Sequence, residues 1–224
     1  MHRHFEEAEG ELKNRLLLMG GLAEEMIHLA VSGLMERRPE LLKEVPGRED
    51  RVNALHMEVD DRCLKLIALH QPAAADLRFI MAAAKINSDL ERIADQAVNV
   101  SETAQVLLSQ PPLTRRGFDL ARMAELAKSM LKDSIDAFIR KVVALARSVV
   151  ARDEEEDQLK SQAFQELMQL MQSDASTIQR ALGLILVSRN LERVADHATN
   201  VAEDVIFMVL GKDIRHHAED SSPA

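Results

Sequence analysis

The chain reads as an all-α protein made of two tandem, pseudo-symmetric three-helix bundles, and three observations carry that reading. Its 224 residues contain no Trp, no Tyr, 6 Phe, 8 Gly and 6 Pro, which leaves a β-sheet short of its preferred residues and its turn punctuation. The chain is instead rich in Ala, Leu, Met, Glu, Arg and Lys, the residues that lose least on entering a helix. Its apolar residues recur at spacings of three and four, and the sequence repeats itself.

Taken in order, Leu12, Leu16, Met19, Leu22, Met26, Leu29 and Gly33 predict a first helix over 5–36 with one buried face. Within it, Gly20-Gly21 marks either a close helix contact or a bend. Pro39 permits a new start and Pro46-Gly47 interrupts again, so the second helix is expected over 48–70. Gln71-Pro72 ends it, because the residue before a proline is pushed out of the α region. The third helix is expected over 73–109, stopping before Pro111-Pro112. The pattern then restarts with helices over 118–150, 151–172 and 175–210, the last closing at Gly211. The polar stretch 213–224, which includes His216 and His217, reads as a disordered tail.

The repeat is direct. Leu90, Glu91, Arg92, Ala94, Asp95, Ala97, Asn99, Val100 and Glu102 recur as Leu191, Glu192, Arg193, Ala195, Asp196, Ala198, Asn200, Val201 and Glu203. The apolar series Ile86, Ile93, Val100, Leu107 returns as Val187, Val194, Val201, Met208, a seven-residue recurrence of the kind that forms a helix-packing seam. A fainter echo links 45–53 to 149–157. The expected division is therefore a first repeat over 1–112, a second over 113–212, and the tail.

Charge narrows the function. A net charge of −9 shows no basic footprint of the kind nucleic-acid binding needs. The one cysteine, Cys63, has no internal disulfide partner and reads as a small buried apolar residue, which suits a reducing cytoplasm. The N-terminus has no signal-peptide h-region, and no apolar stretch is expected to approach the ~20 residues that span a bilayer. Work at a membrane is therefore expected to go through a partner, without direct insertion.

The chemistry lies in the repeat. At 100° per residue, Glu91, Asp95, Asn99 and Glu102 share an arc of roughly 80°, and Glu192, Asp196, Asn200 and Glu203 share its counterpart. The second helix adds Glu49 and Asn53, and the fifth adds Asp153 and Asp157, again one turn apart. Hard oxygen donors so arranged suit Mg, Mn, Ca or iron, and bundles build such sites from facing helices. The same residues also read as solvated acids beside Arg92 and Arg193, and their retention in register is explained either by a shared use or by common ancestry with little drift. Glu25-Met-Ile-His28 is a lone Glu-x-x-His, whereas carboxylate-bridged di-iron proteins need two. No phosphate-binding glycine loop and no positioned nucleophile can be read, so no catalytic residue is assigned.

Met19-Gly20-Gly21, Cys63, the run from Gln71 to Arg78 and the two Leu-Glu-Arg-x-Ala-Asp segments together resemble the PhoU family of phosphate-transport accessory and regulatory proteins, over about 5–211. The resemblance implies a fold of two three-helix bundles in a cytoplasmic homodimer. It implies action between the ATPase subunit of the phosphate ABC transporter and a phosphate-sensing histidine kinase, restraining uptake and the starvation response when phosphate is plentiful. It also implies iron or zinc on Glu91 with Asp95, Glu192 with Asp196, and Asp153 with Asp157, with Glu49 and Asn53 as the second-helix equivalents. His56 stands where relatives usually place an acid, and Asn53 lacks a carboxylate, so the two sites are expected to differ. A metal-dependent, carboxylate-bridged enzyme on the same bundle is the alternative reading.

Overall fold

A computed structural model of the chain describes residues 2–113 and 119–214. Among these, every regular element is helical: α1 (His2–Met35), α2 (Pro39–Leu42), α3 (Val45–His70), α4 (Ala75–Leu108), α5 (Leu120–Arg140), α6 (Val143–Val150), α7 (Asp153–Ser173) and α8 (Ile178–Leu210), with a 3-10 turn over Ala175–Thr177. The start expected at 118 and the stretch 215–224, with His216 and His217, lie outside the described residues.

Capping chemistry sets several boundaries. Asp119 accepts from the Arg122 backbone N–H at 2.9 Å and opens α5, satisfying one of the donors a helix start leaves free. Gly211, at φ 69°, closes α8 with its N–H on Phe207 O at 2.8 Å, as the sequence suggests. Gln71, left-handed at φ 45° before Pro72, ends α3.

Three expectations are corrected. Pro46-Gly47 does not interrupt: α3 begins at Val45 and takes Pro46 into its first turn, where a missing N–H removes no bond. The helix expected over 118–150 is two helices. Lys141 adopts φ 56°, ψ 41°, and Val142 N–H bonds to Ala137 O at 3.0 Å, a Schellman-type reversal made without glycine. Finally, α1 is long and apolar enough over Phe5–Met35 to cross a membrane by length and composition. Its apolar face goes into the protein instead, with Leu12, Leu16, Met19 and Met26 wholly buried.

Helices α1, α4, α8 and α5 pack in a closed ring, each against the next; α3 lies against α1 and α4, and α7 mainly against α8. Each repeat is thus a bundle of three long helices with one short helix inserted, α2 or α6, and it donates two of the long helices to a common centre. One apolar cluster runs through it, from Phe5 on α1 to Met208 on α8. Gly20 resolves as a close contact: a Cβ there would stand 3.1 Å from Ile135 Cγ1 on α5, and α1 passes through unbroken.

The seam between repeats is polar as well as apolar. Along antiparallel α4 and α8, Arg78 Nε donates to Met208 O at 3.2 Å, Lys85 Nζ to Asp204 Oδ1 at 2.9 Å, and Asn200 Nδ2 to Asp89 Oδ1 at 3.3 Å. Phe79 stacks on Phe138, 5.5 Å between centroids. Lys141, placed by its reversal, lies over the Phe79 ring and 3.0 Å from Glu9. That turn therefore ties α5 to α1 and α4.

Candidate functional site: two acidic helix faces

The repeat places the expected donors on paired helices. In the first half Glu49 and Asn53 lie on α3, and Glu91, Asp95, Asn99 and Glu102 on α4. Glu49 is half-buried. Burial, then the charges of Asp95, Asp50, Glu102 and Glu91, push its carboxyl above the ordinary range, which places α3 and α4 donors in one field. A cation beside this face, Arg92, is exposed and stands 3.5 Å from Glu91 and 3.4 Å from Asp95. Asn53 and Asn99 are exposed.

In the second half Asp153 and Asp157 lie on α7 and Glu192, Asp196 and Asn200 on α8. Asp153 is raised by burial, although Thr199 donates to it at 3.1 Å. Asp196 keeps an open side, yet loss of solvent on its inner side and then Glu192, Asp153 and Asp157 push it up to about 6. Asp153, Asp196, Thr199, Asn200 and Glu203 line an open hollow together with Arg193 and His197. Like charges are crowded here because α7 and α8 each present carboxylates one turn apart toward the other.

Two residues of this face escaped the sequence reading. Glu156 is wholly buried, neither of its carboxyl oxygens has a hydrogen-bond partner, and burial with the charge of Glu192 raises it to about 8. Lys160 Nζ stands 2.5 Å from Asp157 Oδ1 and 2.5 Å from Glu192 Oε1. Burial opposes its charge, but those two carboxylates outweigh burial and raise its pKa. The sequence did hold a signal. In the 45–53 and 149–157 echo, Glu156 stands opposite Val52, an acid where the first repeat has a core residue.

The donors suit a hard cation in kind, and the orphaned Glu156 carboxyl is the sort of buried group that a cation would satisfy. In placement they are less ready. Among the described residues, no group of three or more His, Cys, Asp and Glu side chains is gathered closely enough to hold a metal ion. His56 is engaged elsewhere, 3.4 Å from Asp60, with Asn87 donating to Asp60 at 3.0 Å. Of the lone Glu-x-x-His, Glu25 accepts from Arg48 at 2.8 Å and His28 is exposed.

Fold and faces together define a tandem helical-repeat protein with paired acidic surfaces. The model of the PhoU domain matches it twice, over residues 16–104 and 120–205. The chain belongs to the PhoU family. It is 40% identical over 212 residues, 95% of each chain, to the phosphate-specific transport system accessory protein PhoU homolog of Aquifex aeolicus. It is 36% identical over 206 residues to the homolog of Pseudomonas putida, covering 92% of this chain and 80% of that one. The crystal structure of PhoU from Pseudomonas aeruginosa superposes with a TM-score of 0.90 at 35% identity, over 93% of this chain and 100% of that one. That of the phosphate transport system regulatory protein PhoU from Streptococcus pneumoniae gives 0.86 at 26% identity.

Proposed function

We propose that this chain is a cytoplasmic, non-enzymatic regulator of phosphate uptake. In this reading it works as a homodimer that links the ATPase subunit of the phosphate ABC transporter to a phosphate-sensing histidine kinase, and it restrains both uptake and the starvation response when phosphate is plentiful. The observation that supports it most is the family match to both repeats, together with relatives named as accessory proteins of phosphate-specific transport. The charge of −9 argues for protein partners over nucleic acid.

The acidic faces are read as cation sites: iron or zinc by family resemblance, Mg, Mn or Ca by donor chemistry. Asp153, Asp157, Glu192 and Asp196 would hold the ion in the second repeat, and Glu49, Glu91 and Asp95 in the first, with Asn53, Asn99 and Asn200 at their rims. A bound cation would neutralise the crowded carboxylates and tie the paired helices together.

A pull-down from phosphate-replete cells tests the adaptor: recovery of the transporter ATPase or the kinase is expected, and recovery of neither sinks it. Elemental analysis of protein purified without chelator or affinity tag tests the metal. Metal content should fall in a Glu192→Ala, Asp196→Ala variant. Turnover abolished by Glu91→Ala, Asp95→Ala would instead establish the carboxylate-bridged enzyme.

A further inference from the structure

The two acidic faces are not equivalent, and the difference sits at two positions of one helix. With Asn53 set against Asp157, Val52 on α3 corresponds to Glu156 on α7, and His56 corresponds to Lys160. Val52 and Glu156 are both wholly buried, so the second repeat has exchanged a core methyl pair for a carboxyl. Neither oxygen of that carboxyl is hydrogen-bonded. Glu192, Glu155, Asp153 and Asp157 are the charges that bear on it. An orphaned buried carboxyl is costly, and it marks this cluster as short of positive charge.

Lys160 supplies part of that charge. Its ammonium lies 2.5 Å from Asp157 on its own helix and 2.5 Å from Glu192 on α8, the place where a cation bridging carboxylates of facing helices would stand. Its counterpart His56 is instead turned to Asp60. A cation beside the first face, Arg92, is exposed and contacts Glu91 and Asp95 of its own helix.

We propose that Lys160 is a resident counter-cation of the second acidic face, so that a divalent cation loads this face only by displacing its ammonium. The first face has the exposed Arg92 at the longer distances of 3.5 and 3.4 Å, and it loads without displacing a cation held between its paired helices. This rests on the cation-site reading given above. The competition is intramolecular: the ammonium is tethered beside its carboxylates and is never diluted away. A dication wins because it carries twice the charge, and it must draw Asp153 or Asp196 in beside the Lys160 partners, since no three of these side chains are gathered closely enough while the ammonium is in place. The two faces of one chain thereby fill at different metal concentrations.

The test uses the full chain and Mn2+, a hard oxygen-seeking ion. Lysine acylation followed by peptide mass spectrometry should find Lys160 protected relative to the exposed Lys132 in metal-free protein. Saturating Mn2+ should release that protection. Equilibrium dialysis should show Lys160→Met tightening the weaker Mn2+ site roughly tenfold or more, Lys160→Arg leaving the isotherm as in the wild type, and Glu192→Gln added to Lys160→Met abolishing the gain. Binding that ignores Lys160, with its acylation unmoved by Mn2+, overturns the exchange alone. Absence of Mn2+ binding in every preparation overturns the cation-site reading itself, and the exchange falls with it.

Discussion

His197 Nδ1 on α8 stands 2.8 Å from Asp89 Oδ1 on α4, with both side chains mostly buried in the seam between the repeats. Asp89 also accepts from Asn200, so one carboxylate holds two residues of the other repeat. Asp89→Ala leaves both without this partner and should cost about 1–3 kcal/mol. A double-mutant cycle with His197→Ala, read by urea denaturation, should return a coupling of at least ~0.5 kcal/mol. Strict additivity would show that the contact contributes nothing.

Glycine substitutions in α1 should have opposite signs. A Cβ on Gly33 would lie 2.5 Å from Leu42 Cδ2 and 2.9 Å from its Cγ, and Leu42 is wholly buried with little room to yield. Gly33→Ala should therefore destabilise by about 1–3 kcal/mol. A Cβ on Gly21 would meet nothing within 4 Å, so Gly21→Ala should stabilise by roughly 0.5–1 kcal/mol. Thermal melts of the two variants on either side of the wild type check this.

The buried Glu156 makes stability depend on pH in an uncommon direction. Its folded pKa, about 8, lies above the ordinary 4.5, so the folded state holds a proton that the unfolded chain releases. Its contribution is fully present below about 4.5 and is lost as pH rises through about 8. Each pKa unit is about 1.4 kcal/mol, so the loss is on the order of a few kcal/mol. Metal-free protein should melt at a lower temperature at pH 8.5 than at pH 5.5. Glu156→Val, which restores the residue of the first repeat, should flatten that slope. An unchanged slope would assign it to other groups.

Cys63 should be chemically silent. It is buried, and loss of solvent, then the charge of Asp60, pushes its thiol up to about 11, while the thiolate is the reactive form. Iodoacetamide should label it only as the protein unfolds, at a rate that rises with urea in step with loss of helix. Rapid labelling of folded protein would contradict this burial.

Much of the architecture was legible in the sequence because the forces that set it are periodic. Leu12, Leu16, Met19 and Met26 mark a buried face at helical spacing, and all four are wholly buried. The failures are local and non-periodic. Lys141 carries no glycine or proline signature, and its reversal is held by contacts to Glu9 and Phe79 that are distant in sequence. Pro46 is ambiguous in the sequence because a proline breaks a helix interior and is welcome in a first turn. At the candidate site, Glu49, Asp153 and Asp196 fall where i, i+4 spacing put them. Glu156 and Lys160 were missed because acids and lysines on a helix are ordinarily solvated, and their burial and pairing are properties of α7 against α8.

The closed ring of α1, α4, α8 and α5 has a consequence for how the protein comes apart. Neither repeat encloses its own interior, since the inner sides of α4 and α8 are completed only by each other. Calorimetry should accordingly record one endotherm, with calorimetric and van't Hoff enthalpies in agreement. A half-chain expressed alone would present an uncovered apolar flank together with Arg78 and Lys85. The surface best matched to it is the same flank of a second half-chain, so the isolated repeat would re-create the ring as a pair.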